Sequence, residues 1–139
     1  MTIESIHHVS LTVSDLDRSR QFYRELGLEE IPRPAFGFGG AWFQVGPTQQ
    51  LHLIECEEPT MRGGKCIDTR DVHFALRVES FEDARAFLHS KGFREDVAPE
   101  HPLHMIARPN AVAGFPQIYI LDPDRHIIEI NASALTAAE

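Results

Sequence analysis

The chain repeats itself. Set over one another without a gap, HVSLTVSDLDRSRQFYRELGLEE from His8 and HFALRVESFEDARAFLHSKGFRE from His73 share His8/His73, Leu11/Leu76, Val13/Val78, Arg20/Arg85, Phe22/Phe87, Gly27/Gly92 and Glu30/Glu95. Each copy opens as a strand of period two. In the first, Val9, Leu11 and Val13 face one way while His8, Ser10 and Thr12 face the other. Helical spacing follows: Phe22, Tyr23 and Leu26, like Phe81, Ala84, Phe87 and Leu88, form apolar stripes that predict helices over about 15–26 and 80–91. Ser14 with Asp17, and Ser80 with Asp83, stand where an N-cap and an acidic N3 residue belong. Gly27 and Gly92 stand where a left-handed residue would end each helix.

Three further strand signals complete each copy. The first has EEIPRP, GAWFQVG and QQLHLIE, with a turn at Gly46 and Pro47; the second has FREDV, PQIYILD and RHIIEIN, with a turn at Asp122-Pro123-Asp124. The expected fold class is therefore α+β, a tandem of βαβββ modules at about 4–56 and 71–133. The polar stretch 57–70 joins them, and its length would let the modules pair within one chain or exchange between two. At 139 residues neither copy is large enough to stand as a separate domain, so residues 1–139 are read as one. The second copy carries extra residues at 99–114, rich in Pro, His and Asn, which read as a loop placed over a site.

Strand parity points to chemistry. If Ile128 and Ile130 pack on a helix, Glu129 points to the opposite, inner face; if Leu51 and Leu53 do so, His52 points inward. The same rule sends His8 and His73 inward from the two opening strands. A buried carboxylate needs a partner. Three imidazoles and one carboxylate suit a borderline divalent ion, Zn, Fe, Mn, Co or Ni, so His8, His52, His73 and Glu129 are the expected metal ligands. His7 is the off-face neighbour, His89 lies on an exposed helix side, His126 opens a strand, and His101 and His104 read as solvated loop residues.

Charge narrows the partners. A formal net charge of −8 lacks the clustered Lys and Arg that nucleic acid or an anionic membrane requires, which leaves a small molecule. No apolar run approaches the roughly 20 residues of a membrane span, and MTIESIHHV has neither part of a signal peptide, so a cytoplasmic location is expected. Cys56 and Cys66 show no CxxC spacing and read as unpaired thiols.

HHVSLTVSDLDRSRQFYRELGL, DVHFALRVES and ILDPDRHIIEIN together resemble the vicinal oxygen chelate superfamily of glyoxalase I, methylmalonyl-CoA epimerase, extradiol dioxygenases, fosfomycin-modifying enzymes and bleomycin-resistance proteins. The resemblance implies a cupped, barrel-like mixed sheet, a homodimer, and one metal ligand on the first and last strand of each module. Those positions are again His8, His52, His73 and Glu129. It also implies that the metal stabilises negative charge on a substrate oxygen and that Glu129 doubles as the base. The implied activity is a glyoxalase-type lyase or isomerase acting on a small oxygenated carbonyl compound. Glyoxalase I enzymes usually carry a second glutamate where this chain has His52. His8, His73 and Glu129 alone would supply the triad of an extradiol dioxygenase. A non-catalytic binding or resistance protein is the third expectation, although bleomycin-binding members lack the ligands. Fosfomycin-modifying members carry a basic set after the last glutamate, and IEINASALTAAE has none.

Inner-face parity and the loops nominate the substrate contacts: Ser10, Thr12, Trp42, Gln44 and Arg77 on strands, with Arg108 and Asn110 in the insertion. Arg77 could grip a carboxylate in a bidentate fork. Phe36, Phe38, Phe115 and Tyr119 read as cavity walls.

Overall fold

The computed structural model describes residues 1–58 and 62–135. Alternating apolar residues in the first copy become β1 (His8–Val13), and the amphipathic stretch after it becomes α1 (Leu16–Leu26). Strands β2 (Glu29–Ile31), β3 (Gly40–Val45) and β4 (Gln49–Glu55) follow. The second copy runs β5 (His73–Arg77), α2 (Phe81–Ser90), β6 (Ile106–Arg108), β7 (Gln117–Leu121) and β8 (Ile127–Asn131). The class is α+β, with two four-stranded mixed sheets ordered β1-β4-β3-β2 and β5-β8-β7-β6. In both, the first strand of the copy pairs in parallel with the last. The chain divides into two compact units, 1–63 and 64–139. Part of the expected linker 57–70, residues 59–61, lies outside the described residues.

Unit 1 buries the face that parity assigns to α1. Val13, Tyr23, Phe43, Leu51 and Leu53 are at most 1% exposed, α1 packs on β3 and β4, and the Tyr23 and Phe43 rings lie 6.0 Å apart. Each such side chain contributes about 1.5–3 kcal/mol by leaving water. In unit 2 every residue of β7 and β8 is buried. Register puts Ile118, Ile120, Ile128 and Ile130 on one face and Tyr119, Leu121, Ile127 and Glu129 on the other. The three apolar members of the second face cluster with Ile67 and Ile106.

The repeated identities have structural reasons. Arg20 reaches Glu30 at 2.8 Å and Arg85 reaches Glu95 at 2.8 Å, so in each unit one ion pair fastens the segment after the helix back onto it. Arg24 and His89 occupy matching places and join the same carboxylates. Gly27 and Gly92 both take positive φ, 111° and 97°, a backbone that residues with a Cβ adopt only under strain.

Local expectations fail at three places. The N-cap of α1 is Asp15, whose carboxylate accepts from the Arg18 N–H, rather than Ser14; Ser80 does cap α2. FREDV is not a strand. Arg94 makes a single bridge to His104 and folds its guanidinium onto the carbonyls of His89 and Phe93, while Glu95 turns back to the helix. The edge beside β7 is taken instead by β6, which lies inside the stretch 99–114 that reads as an insertion loop. No helix among the described residues is long and apolar enough to cross a membrane.

Candidate functional site

In unit 1, parallel pairing sets Ser10 beside His52, and antiparallel pairing sets Trp42 across from it. His8, Ser10, Thr12, Trp42, Gln44 and His52 therefore share the face away from α1. The rings stack: His8 on His52 at 4.1 Å and 15°, and His52 on Trp42 at 4.2 Å and 5°. Sandwiched in this way, His52 is 8% exposed. Burial, then the neighbouring His8, His7 and Arg33, all push its pKa below the ordinary histidine value, which keeps a neutral imidazole able to ligate a metal. Its Nε2 lies 2.8 Å from Gln50 Oε1, a hydrogen bond in which Nε2–H donates and Nδ1 keeps its lone pair.

His7 belongs with this group. Its Nδ1 lies 2.9 Å from that of His8, one nitrogen donating and the other accepting. Alternation misses it because the strand begins at His8, so His7 is free of the strand's parity. Ser10 and Thr12 lie exposed on the His8 face. Gln44 spends its amide on the Gly46 carbonyl at 2.8 Å and serves its own hairpin turn.

In unit 2, Ala75 and Tyr119 flank Glu129 in register. Glu129 is 5% exposed, and its carboxylate accepts three hydrogen bonds, all from neutral donors. Gln117 Nε2 and Tyr119 Oη donate to Oε1 at 2.7 and 2.6 Å, and Asn131 Nδ2 donates to Oε2 at 2.5 Å. Burial, the hydrogen bond to Glu129 and then its negative charge push the Tyr119 hydroxyl up to about 12, against a smaller opposite pull from Arg108. Gln117 and Asn131 were legible by parity with Glu129, yet residue type alone marks neither as functional.

His73 faces the same carboxylate. Its Nδ1 donates to the Asp71 carbonyl at 2.7 Å, which leaves the Nε2 lone pair directed toward Glu129 Oε1 at 4.0 Å, too far for a hydrogen bond. Arg77 Nε donates to Asn131 Oδ1 at 2.5 Å, and the guanidinium lies 5.1 Å from the Phe115 ring centre. An arginine–asparagine–glutamate chain results, and among the described residues the terminal nitrogens of Arg77 make no hydrogen bond. Arg108 lies over Tyr119 at 5.9 Å. With Asn110, Val112 and Gln117 it lines a cavity of about 450 Å³.

The expected ligands thus come together as pairs, His8 with His52 in unit 1 and His73 with Glu129 in unit 2. Among the described residues, no group of three or more His, Cys, Asp or Glu side chains is gathered to hold a metal. Among the described residues neither Cys56 nor Cys66 is joined in a disulfide. His101 accepts from the Leu103 N–H within its own loop, and His104 bridges to Arg94, so neither takes part.

Residues 5–130 match the sequence profile of the Glyoxalase/Bleomycin resistance protein/Dioxygenase superfamily. Glyoxylase I 4 of Arabidopsis thaliana is 28% identical over 131 residues, covering 92% of this chain and 70% of that protein. Two solved structures share the fold. One is a mutant of the fosfomycin resistance protein FosX from Listeria monocytogenes complexed with Mn(II) and 1S,2S-dihydroxypropylphosphonic acid, with a TM-score of 0.69, 19% identity and coverage of 98% and 95% of the two chains. The other is a bleomycin-binding protein complexed with bleomycin, with a TM-score of 0.65, 19% identity and coverage of 94% and 98%.

Proposed function

The chain belongs to the Glyoxalase/Bleomycin resistance protein/Dioxygenase superfamily, and from that premise we propose that it is a divalent-metal-dependent lyase or isomerase of glyoxalase type acting on a small oxygenated carbonyl compound. The observation that carries this is Glu129. Glu129 is buried at 5% exposure and its carboxylate is held by three neutral donors; among the described residues no Lys or Arg bonds it, which leaves a negative charge without a counter-charge, an arrangement that is costly unless a cation completes it. His73, already in the tautomer that frees Nε2, faces Oε1 of the same carboxylate at 4.0 Å.

His8, His52, His73 and Glu129 would hold the ion, with zinc, nickel, manganese, iron and cobalt all suited to that donor set. The pairs from the two units would be joined within one chain or across a homodimer. When bound, the metal supplies Lewis-acid stabilisation of negative charge on a substrate oxygen. The rest falls to the chain. Oε1 of Glu129 is occupied by two donors, whereas Oε2 has one and keeps a lone pair, so Oε2 is the atom that receives a proton from the substrate carbon. The terminal nitrogens of Arg77 orient an anionic substrate oxygen on the same face, and Arg108 and Asn110 border the neighbouring cavity.

The test joins metal analysis to proton exchange. Purified protein should carry about one divalent ion per chain, lost in His8→Ala and His73→Ala. Solvent deuterium should enter the carbon beside the carbonyl in a panel of 2-hydroxy and 2-oxo compounds, and Glu129→Gln should abolish that exchange while keeping much of the metal. Undiminished exchange in Glu129→Gln would remove Glu129 as the base. One observation favours a second reading, an extradiol-type dioxygenase. The bond from His52 to Gln50 suits a three-ligand set of His8, His73 and Glu129. Oxygen uptake with catechols by anaerobically Fe²⁺-loaded protein, undiminished in His52→Ala, would support it.

A further inference from the structure

Beyond Trp42 the ring stack of unit 1 continues outward. Phe36 lies 6.1 Å from Trp42, tilted by 49°, and stacks on Phe38 at 5.3 Å and 15°. Five rings therefore run from His8 through His52, Trp42 and Phe36 to Phe38. The last two are 45% and 50% exposed, an uncommon state for adjacent phenylalanines. The segment 32–39 that carries them is held firmly, since Arg33 Nη2 donates to the Phe38 carbonyl at 3.0 Å and the Glu55 N–H donates to the Gly39 carbonyl at 2.9 Å. The Arg33 guanidinium lies 4.6 and 5.1 Å from the two phenylalanine ring centres. It rests on the bare backbone of Gly40, where a Cβ would come within 2.8 Å of Nη2.

Arg33 also lacks a counter-ion. Arg20, Arg24, Arg70 and Arg85 each meet a carboxylate. Among the described residues Arg33 meets none, and its Nη2 donates to the Phe38 carbonyl instead. A half-buried cation that meets no carboxylate among the described residues, set beside an exposed flat aromatic wall, is complementary to an anion attached to a flat apolar group.

We infer that Arg33, Phe36, Phe38 and Trp42 form the subsite for the distal end of the substrate, and that this end is a planar conjugated carboxylate of aromatic-acid type. The inference deepens the proposed function by naming its substrate class, and rests on it only in placing the reacting end at His8 and His52. A second copy of the chain is a poorer occupant. Symmetric contact through this wall would oppose two unpaired arginines on chains that each carry a net charge of −8.

Trp42 is the chain's one tryptophan, so its fluorescence reports on the wall directly. The full chain, both Mn²⁺-loaded and chelator-treated, is titrated with benzoate, benzyl alcohol and cyclohexanecarboxylate. Benzoate should give a saturable change in both preparations, with the two other compounds about tenfold weaker or more. Arg33→Met should weaken benzoate by about tenfold or more at unchanged circular dichroism and metal content, and Arg70→Met, at an exposed ion pair with Asp68, should leave benzoate affinity unaltered. Equal affinity for benzoate and cyclohexanecarboxylate, full benzoate binding by Arg33→Met, an equal loss in Arg70→Met, or no saturable change would each overturn the inference. So would Trp42 emission that tracks protein concentration together with self-association, which would give the wall to a second copy. Benzoate binding by protein that never takes up metal would sink the proposed function and leave the subsite standing.

Discussion

Replacing Tyr119 by Phe removes one atom from the most constrained part of unit 2. Its hydroxyl donates to Glu129 Oε1 at 2.6 Å in a site where the tyrosine is 3% and the glutamate 5% exposed. A hydrogen bond to a charged group contributes about 1.5–3 kcal/mol, and deletion leaves Oε1 with Gln117 alone, so at pH 7 the variant should be less stable by about that amount. The pH dependence isolates the cause. The Tyr119 hydroxyl is pushed up to about 12, above the ordinary tyrosine value near 10, by burial, the bond to Glu129 and its charge. Ionisation therefore favours the unfolded chain: the stabilisation is complete below about pH 10 and is lost as pH rises through 12. At about 1.4 kcal/mol per pK unit the full loss is about 3 kcal/mol, and roughly half of it falls by pH 11. Urea unfolding of chelator-treated wild type and Tyr119→Phe from pH 7 to 11 measures this. The stability gap between them should narrow by about 1.4 kcal/mol at pH 11. A gap that is absent at pH 7, or that stays constant to pH 11, would refute the idea that Tyr119 holds a buried carboxylate through its O–H.

Leu53→Ala, at a site with no exposure beneath α1, should cost about 2–5 kcal/mol, seen as a lower urea midpoint at unchanged slope. Burial would raise the Glu95 carboxyl, but hydrogen bonds from His89, its own backbone N–H and Arg85 outweigh it and hold the group below its ordinary value. Its stabilisation is present above the ordinary carboxyl range and is lost as pH falls below it. Glu95→Gln should thus cost under about 1 kcal/mol at pH 7, and acid titration of unfolding should show the gap to wild type closing below about pH 4.5.

Much of the fold was legible because the repeat tests itself. His8 over His73 gave both opening strands, and the shared arginine, glycine and glutamate positions turned out to be one staple and one cap used twice. Where the copies differ, local reading failed. FREDV has the composition of a strand, but Arg94 and Glu95 spend their side chains on the end of α2, and that tertiary attachment overrides propensity. Its counterpart EEIPRP keeps a strand over Glu29–Ile31 because β3 is there to pair with it. Ser14 lost the cap to Asp15 by one residue, the scale on which sequence signals stop resolving helix ends.

The candidate site was legible to the extent that parity governs it. Period-two alternation is rigid inside a strand, so placing Leu51 and Leu53 on α1 forces His52 to the other face, and burying Ile128 and Ile130 forces Glu129 likewise. Parity says nothing of what lies just before a strand or in a loop, which is why it sets His7 off the face that it shares with His8 and gives no sign of Arg33 beside Phe36. Nor does it rank polar neighbours. Gln117 and Asn131 share the face of Glu129 as plainly as any ligand, and only their distances of 2.7 and 2.5 Å show that they hold it. The same asymmetry separates the two halves of the repeat. In unit 1 the histidines are held by stacking, a geometry that tolerates change in ring type, with one hydrogen bond each to Gln50 and His7; in unit 2 the glutamate is held by three directed hydrogen bonds, which do not. Substitutions around His52 should therefore be absorbed more readily than those around Glu129, and it is on Glu129, with its donors fixed and one lone pair left open, that the proposed proton transfer depends.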